Sequence, residues 1–347
     1  MKTIPDILFY SGNGHHRFGA EMLYNLNELL GTQSCFSHTD FEEFPDEESD
    51  ARFPNFKNIR DKPVIFYQSI YNAQLFMEAL QSIWSLKMQY RAIYLIAVIP
   101  FMIYRRQDHL ENQTEVCRLK MAIDFLKAAG VNELISVTPH SEKMKTFSHE
   151  DGIKFHEVDL SSLFVSRINT YLSDPPLVYS PDAGSIPRAI KIARLLNSQI
   201  IFSLKNRGLN NNVEIKMDEE AEIKATIKFY QAQGFQEINF ADSSTINGAS
   251  IVMVEDEVST GSTANQTGCR LRQLGAKKII FLATHPVLVR GWRRKLFDNN
   301  PFTKIIMSNT IPRNYEKMTG GLIDDVSAAP LTAEILYKVL KQFNLND

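Results

Sequence analysis

Cysteine is scarce in this 347-residue chain: Cys35, Cys117 and Cys269 are the three present, far apart and without a CxxC spacing. That pattern excludes a disulfide framework and a thiolate metal knuckle, and it fits reduced thiols in a cytoplasmic setting. Long apolar runs are also missing. The longest, Tyr94 to Tyr104, is broken by Pro100 and too short to span a bilayer, and the N-terminus carries no apolar signal core. Neither sign of charge dominates. With 38 basic and 40 acidic residues the formal net charge is −2, which gives no global field for a polyanion, so neither nucleic acid nor a membrane is an expected partner. No low-complexity linker separates domains, although 347 residues at 44% hydrophobic composition can fill two cores.

Among what is present, the stretch Ile251 to Thr263, IVMVEDEVSTGST, organises the reading. Ile251, Val252, Met253 and Val254 have the β-branched, apolar character of a strand buried in a parallel sheet, and Ala264 to Leu274 has helical composition. Ser259, Thr260, Gly261, Ser262 and Thr263 therefore lie where a strand hands over to a helix. Unpaired amides and the positive helix end favour a phosphate there, hydroxyls add donors, and Gly261 permits close approach. Glu255, Asp256 and Glu257 precede this cradle and suit sugar hydroxyls or a cation. An acidic turn followed by an ordinary Ser/Thr cap is the plainer reading of the same residues. The loop is neither a Walker loop nor a dinucleotide loop, because no Gly-Lys-Ser/Thr follows and GxGxxG is absent.

Taken in order, strands are expected at Ile7–Tyr10, Val64–Gln68, Tyr90–Val98, Leu134–Val137, Leu177–Tyr179, Gln199–Ser203, Lys278–Ala283 and Ile305–Ser308. Helical patterns lie between them, at Phe18–Leu30, Ala73–Ser85, Glu115–Ala129, Met217–Gln233, Arg290–Phe297 and Ala329–Phe343. This alternation predicts an α/β fold with parallel sheets and right-handed crossovers. The acidic run FEEFPDEESDA, following Asp40, reads as a solvated loop, and Leu204 to Asn212 as a polar, turn-rich loop. Ala128–His140 and Gln273–His285 share a helix–Gly–strand–His register, a sign of duplicated domains. The expected division is 1–154 and 155–347.

Paired acids followed by a T-G-x-T loop look like the phosphoribosyl-pyrophosphate (PRPP) motif of the type I phosphoribosyltransferase fold. Further motifs stand in one order: Phe44, Asp46 and Glu48 as F-x-D-x-E, Arg106-Gln107-Asp108 after a strand and Ile-Pro, then His140 after a strand. Ser180-Pro181-Asp182-x-Gly184, Lys205-x-Arg207, T-H-P-V-L at Thr284 and N-T-I-P at Asn309 follow. Over nearly its whole length the chain resembles ribose-phosphate pyrophosphokinase, also called PRPP synthetase.

The resemblance implies two tandem type I phosphoribosyltransferase-like domains, each a mainly parallel sheet flanked by helices. It implies Mg²⁺-dependent transfer of the β,γ-diphosphate of ATP to the anomeric hydroxyl of ribose 5-phosphate. Arg106, Gln107 and Asp108 would bind ATP together with Phe44, Asp46 and Glu48 of a neighbouring subunit, so a homo-oligomer, dimer or hexamer, is implied. His140 and Asp182 would serve the Mg²⁺–nucleotide, and Lys205 and Arg207 would clamp the transferring group as catalytic residues. Asp182, Glu255, Asp256 and Ser259 to Thr263 would bind the ribose phosphate. Departures cluster at the acceptor side: Ser259 stands where the family has Asp, Ser262 at a small apolar position, Glu255 where Asp is usual, and the segment 213–250 is unusually long. They leave open a larger 5-substituted acceptor such as ADP-ribose, and a non-catalytic regulatory homologue is a further alternative.

Overall fold

The computed structural model describes residues 7–46, 48–110, 112, 114–203, 226–230, 232, 240–313 and 318–343. Short, strongly apolar segments become the central strands. In the first sheet these are β1 (Leu8–Ser11), β5 (Pro63–Tyr67), β6 (Tyr94–Val98) and β7 (Glu133–Val137), with β2 (Phe36–His38) and β8 (Lys154–Val158) at the edges. All pair in parallel, in the order β2-β1-β5-β6-β7-β8. Such sheets must be covered on both faces. Here α1 (His16–Leu30), α2 (Ala73–Trp84), α3 (Arg118–Ala129) and α4 (Lys143–Glu150) connect the strands. Helix α1 stops because Gly31 adopts φ 66°, letting its N–H close on the Asn27 carbonyl. Helix α2 starts on Asn72, whose side chain accepts from the Leu75 amide at 2.8 Å. The core joins Phe66, Leu95, Ala97, Ile123 and Leu134, each large aliphatic or aromatic side chain contributing roughly 2 kcal/mol by leaving water.

The second sheet repeats the plan. It contains β9 (Leu177–Ser180), β10 (Ile200–Phe202), β11 (Ser250–Val258), β12 (Lys278–Pro286), β13 (Lys304–Ser308) and β14 (Ile323–Val326). Its order is β10-β9-β11-β12-β13-β14, again all parallel. Helices α5 (Ser161–Ile168), α6 (Ile186–Leu196), α7 (Ser262–Gln273) and α8 (Trp292–Phe297) belong to this unit, whose core joins Tyr179, Ile251, Met253, Phe281 and Ile305. Numbered within its own unit, each sheet runs 2-1-3-4-5-6, so the expected duplication is present in the topology. The sequence repeat, however, equates β7 with β12, which stand fifth and fourth in their sheets.

Two more features depart from the sequence reading. The acidic run after Asp40 is an antiparallel hairpin, β3 (Asp40–Glu43) with β4 (Ser49–Arg52). A division after residue 154 falls inside β8, which pairs with β7 from Glu133↔Lys154 to Val137↔Val158. One compact unit runs to Asp159 and also takes Thr310–Pro312 and everything from Ser327 on; the other takes Leu160–Asn309 and Arg313–Val326. The closing helix α9 (Ala329–Phe343) thus belongs to the first unit, where it packs on α1. Most of the segment expected to be helical over Met217–Gln233 lies outside the described residues.

Strand β14 is tied to α5 by a buried acid. Arg167 donates through Nε and Nη2 to the two carboxylate oxygens of Asp324, the second bond measuring 2.8 Å, and the Tyr171 hydroxyl donates to Asp324 at 2.6 Å. Burial works against the Asp324 charge, but the bonds from Arg167 and Tyr171 outweigh it and hold the carboxyl below its usual range. A carboxyl depressed on folding stabilises the fold above its unfolded value of about 3.9, and that contribution is lost as pH falls through the folded value. Asp324→Asn is therefore expected to cost about 2 kcal/mol at neutral pH. In denaturant titrations the gap from wild type should narrow below about pH 4; a gap constant with pH rules the linkage out.

Candidate functional site

In the second sheet the chain order reverses between β9 and β11, the place where parallel α/β sheets leave a crevice beyond their strand ends. Glu255, Asp256, Glu257 and the hydroxyl-rich loop Ser259–Thr263 lie there. Beyond β9, Asp182 caps a short turn, its carboxylate accepting from the Ser185 amide at 2.9 Å. Ser203, just past β10, braces that turn: its N–H donates to the Ser180 carbonyl at 3.0 Å and its hydroxyl to the Pro181 carbonyl at 3.1 Å. Ser185 then links the two strands, its hydroxyl donating to Glu255 on β11 at 3.3 Å. The Tyr179 phenol records both charges, pushed up by burial first and then by the negative charges of Glu255 and Asp182.

The three acids differ from expectation in one respect. Strand β11 continues through them to Val258 rather than ending before them, with Glu257 opposite His285 in the register. Glu255 and Glu257 are half-buried, while Asp256 is 5% exposed with an Arg188 Nη2 3.8 Å from its carboxylate.

After Val258 the loop turns at Gly261, with φ 78°, into α7. The Ser262 amide donates to the Thr260 hydroxyl at 3.3 Å, and the Asn265 amide to the Gly261 carbonyl at 2.9 Å. Gly261 is required twice over. A Cβ there would lie 2.7 Å from the Leu296 Cβ, and its backbone is in the region that favours glycine. The segment after β12 also pins the loop, with the Leu288 and Val289 amides donating to the Val258 and Ser259 carbonyls at 3.0 and 3.1 Å. Thus Asp182, Glu255, Asp256 and the Ser259–Thr263 loop share one edge of one sheet. Lys205 and Arg207 lie outside the described residues.

The first unit holds the other expected set. Arg106 and Gln107 are exposed, whereas Asp108 is 6% exposed and accepts from the Ser141 hydroxyl and, at 2.6 Å, bonds His109 Nδ1. Burial opposes the Asp108 charge, yet these bonds and the nearby charges of Lys143 and His140 hold its carboxyl below the usual range. His140 is thereby placed beside the Arg106-Gln107-Asp108 segment. Arg105, which the sequence reading passed over, is buried, stacks on Phe101 at 4.9 Å and donates to the Thr138 carbonyl at 3.3 Å. It anchors the turn that presents its two exposed neighbours. Phe44, Asp46 and Glu48 sit exposed at the tip of the β3–β4 hairpin, closed by the Phe44 amide donating to the Glu48 carbonyl at 2.8 Å.

Ser185, Ser203, Arg188 and Ser141 are contributors that sequence reasoning missed. Only two carried a signal, Ser185 and Ser141, each placed directly after a recognised motif. A cavity of about 350 Å³ opens between α1 and β2, lined in part by Ser11, His16, Phe36 and His38. None of the expected residues lines it, so the site is placed by its chemistry rather than by concavity. Among the described residues no three His, Cys, Asp or Glu side chains stand where they would cage a metal.

Two duplicated parallel sheets, one ending in a strand–hydroxyl loop–helix cradle, define a protein of the phosphoribosyltransferase-like class. The model for the N-terminal domain of ribose phosphate pyrophosphokinase matches residues 7–130, and that for the phosphoribosyl synthetase-associated domain matches residues 223–345. The chain belongs to the ribose-phosphate pyrophosphokinase family. The ribose-phosphate pyrophosphokinase of Sulfurisphaera tokodaii is 27% identical over 295 residues, 82% of this chain and 88% of that one. That of Ralstonia nicotianae is 25% identical over 339 residues, 96% of this chain and 95% of its own length. In fold the chain matches phosphoribosylpyrophosphate synthetase from Mycobacterium smegmatis, with a TM-score of 0.75 at 24% identity over 98% of this chain and 99% of that one.

Gly261→Ala is expected to destabilise the protein by roughly 2 kcal/mol, through backbone strain and displacement of Leu296. The denaturant midpoint measures this, and a variant as stable as wild type excludes the close packing of α8 on the loop.

Proposed function

We propose that the protein transfers the β,γ-diphosphate of ATP to the 1-hydroxyl of ribose 5-phosphate, giving PRPP and AMP, as a cytoplasmic enzyme. The observation that carries this is the linkage of Asp182 and Glu255 through Ser185, beside a hydroxyl-rich loop in a chain of this family. In the proposed arrangement the loop Ser259–Thr263 holds the 5-phosphate through its hydroxyls and the first amides of α7. Glu255 and Asp256 accept hydrogen bonds from the ribose hydroxyls, Asp256 held in place by Arg188, and Asp182 faces the same sugar. These contacts fix the acceptor so that its 1-oxygen meets the β-phosphorus in line as the bond to the AMP oxygen breaks.

Arg106, Gln107 and Asp108 bind the nucleotide, and the exposed hairpin tip of Phe44, Asp46 and Glu48 supplies contacts to the site of a neighbouring copy in a homo-oligomer. His140 and Asp182 are the proposed groups that would hold Mg²⁺ with the nucleotide phosphates. When bound, the ion neutralises charge on the triphosphate. Lys205 and Arg207 are proposed to donate to the transferring diphosphate as its charge redistributes.

Purified protein with ATP, Mg²⁺ and ribose 5-phosphate is expected to release AMP in step with PRPP. No AMP release sinks the proposal, and consumption of PRPP with a nucleobase would instead identify a base-transferring enzyme. Lys205→Ala is expected to lower kcat on the order of 100-fold or more while leaving nucleotide affinity within about twofold. Equal losses in both count against a role confined to the transition state.

A further inference from the structure

Strands β6 and β7 are neighbours, and the turns that leave them carry Arg106, Gln107 and Asp108 on one side and His140 on the other. Backbone pairing continues past both strands. The Ile99 amide donates to the Ile135 carbonyl at 2.9 Å, and the Val137 amide to the Pro100 carbonyl at 3.2 Å. The first turn then closes on itself, the Gln107 amide donating to the Tyr104 carbonyl at 3.0 Å, and the Leu119 amide ties it to α3 by donating to the Gln107 carbonyl at 3.0 Å. Arg106, Gln107 and Asp108 therefore stand on a braced loop.

The second turn is strained at its first residue. Thr138 has φ 33°, a left-handed backbone that a β-branched residue rarely adopts. Its amide and its hydroxyl both donate to the Val158 carbonyl, at 3.1 and 3.4 Å. The Thr138 carbonyl takes the bond from Arg105 Nη1 at 3.3 Å. Arg105 is 3% exposed, and its guanidinium stacks on Phe101 at 4.9 Å. Leaving the donors of a buried cation unmade is expensive, and the stack restricts where the planar fork can point. Ser141 crosses the same gap in the other direction, its hydroxyl donating to Asp108. His140 lies between these two attachment points.

We infer that Arg105 is a positioning residue: by holding the Thr138 carbonyl across the gap between the two turns, it sets His140 relative to Arg106, Gln107 and Asp108, so that a nucleotide meets both segments at once. The inference deepens the reading of these segments as the nucleotide site and rests on it. Arg105 is buried, and its effect passes through the backbone of Thr138 to a histidine two residues on. The strain at Thr138 is what makes a fastening necessary, because a residue held off its preferred backbone relaxes when released.

The test is calorimetric titration of the full chain with ATP and Mg²⁺, read beside steady-state kinetics. Arg105→Met keeps an unbranched stem against Phe101 and removes the hydrogen bond. It is expected to weaken ATP binding, and to raise the KM for ATP, on the order of tenfold, with the KM for ribose 5-phosphate within about twofold. Arg105→Lys, which returns a donor without the planar fork, should recover part of the loss. In a His140→Ala background the Arg105→Met change should cost ATP binding less than about twofold, because the group it positions is gone. A loss of equal size in both backgrounds is the mark of a structural role and overturns the inference, as does unchanged ATP binding in Arg105→Met. Should Arg105→Met fail to fold, Thr138→Gly decides, since glycine adopts a φ of 33° without strain. That variant should bind ATP roughly threefold or more weakly, and binding equal to wild type overturns the inference. If the wild type binds ATP but releases no AMP, the proposed reaction has failed and the titrations still decide the role of Arg105. If the wild type binds no ATP, the reading of the nucleotide site has failed and the inference falls with it.

Discussion

Parallel pairing of β11 between β9 and β12 is the constraint on which the candidate site depends. In a parallel sheet every strand delivers its C-terminal end to the same edge, so Asp182 after β9, the acids at the end of β11 and the segment after β12 arrive together although 104 residues of chain, from 182 to 286, separate them. The register then decides details. Because β11 stays paired with β12 as far as Val258↔Pro286, the loop begins level with the segment that pins it. The hydrogen bonds to Val258 and Ser259 follow from that alignment.

Electrostatics and packing cooperate at this edge. Several negative charges converge, and each is given a partner that does not neutralise the whole cluster: Ser185 for Asp182 and Glu255, Arg188 for Asp256. The loop itself is shaped by an absence, the missing side chain of Gly261, which admits Leu296 and with it the basic helix. The first unit handles its buried acid in a similar way, with Ser141 and His109 on Asp108 and Arg105 fastened behind the exposed pair Arg106 and Gln107.

Central elements were legible in the sequence because their burial is two-sided: VIFY, YLIAV and KIIFLATH read as strands without help. Of the four edge strands of the parallel sheets only β10 was, within Gln199–Ser203, because its three residues are buried. β2 (FSH), β8 (KFHEV) and β14 (IDDV) expose part of one side and carry polar residues, and the burial of Asp324 is made possible by Arg167, 157 residues earlier. For the candidate site, the motifs single out Asp182, Glu255, Asp256 and the loop, since each reports its own local backbone, and the sheet brings them to one edge. The roles of Ser203 and Arg188 depend on contacts between segments far apart in sequence, which no local pattern encodes. The hairpin carrying Phe44 reads as a loop because its acidic, Pro-containing composition is unlike that of a buried strand.

Helix α9 packs on α1, while β14, just before it, completes the other unit. The first unit therefore closes on a segment more than 300 residues after its opening helix. During synthesis its sheet can pair early, but α1 must wait with one face uncovered until residues beyond 329 have been made. Over that interval the nascent chain exposes an apolar helix face, the kind of surface that draws chaperones or promotes mispairing. Closing on α9 ties completion of the first unit to synthesis of residues beyond 329, after the strands of the other unit have been made.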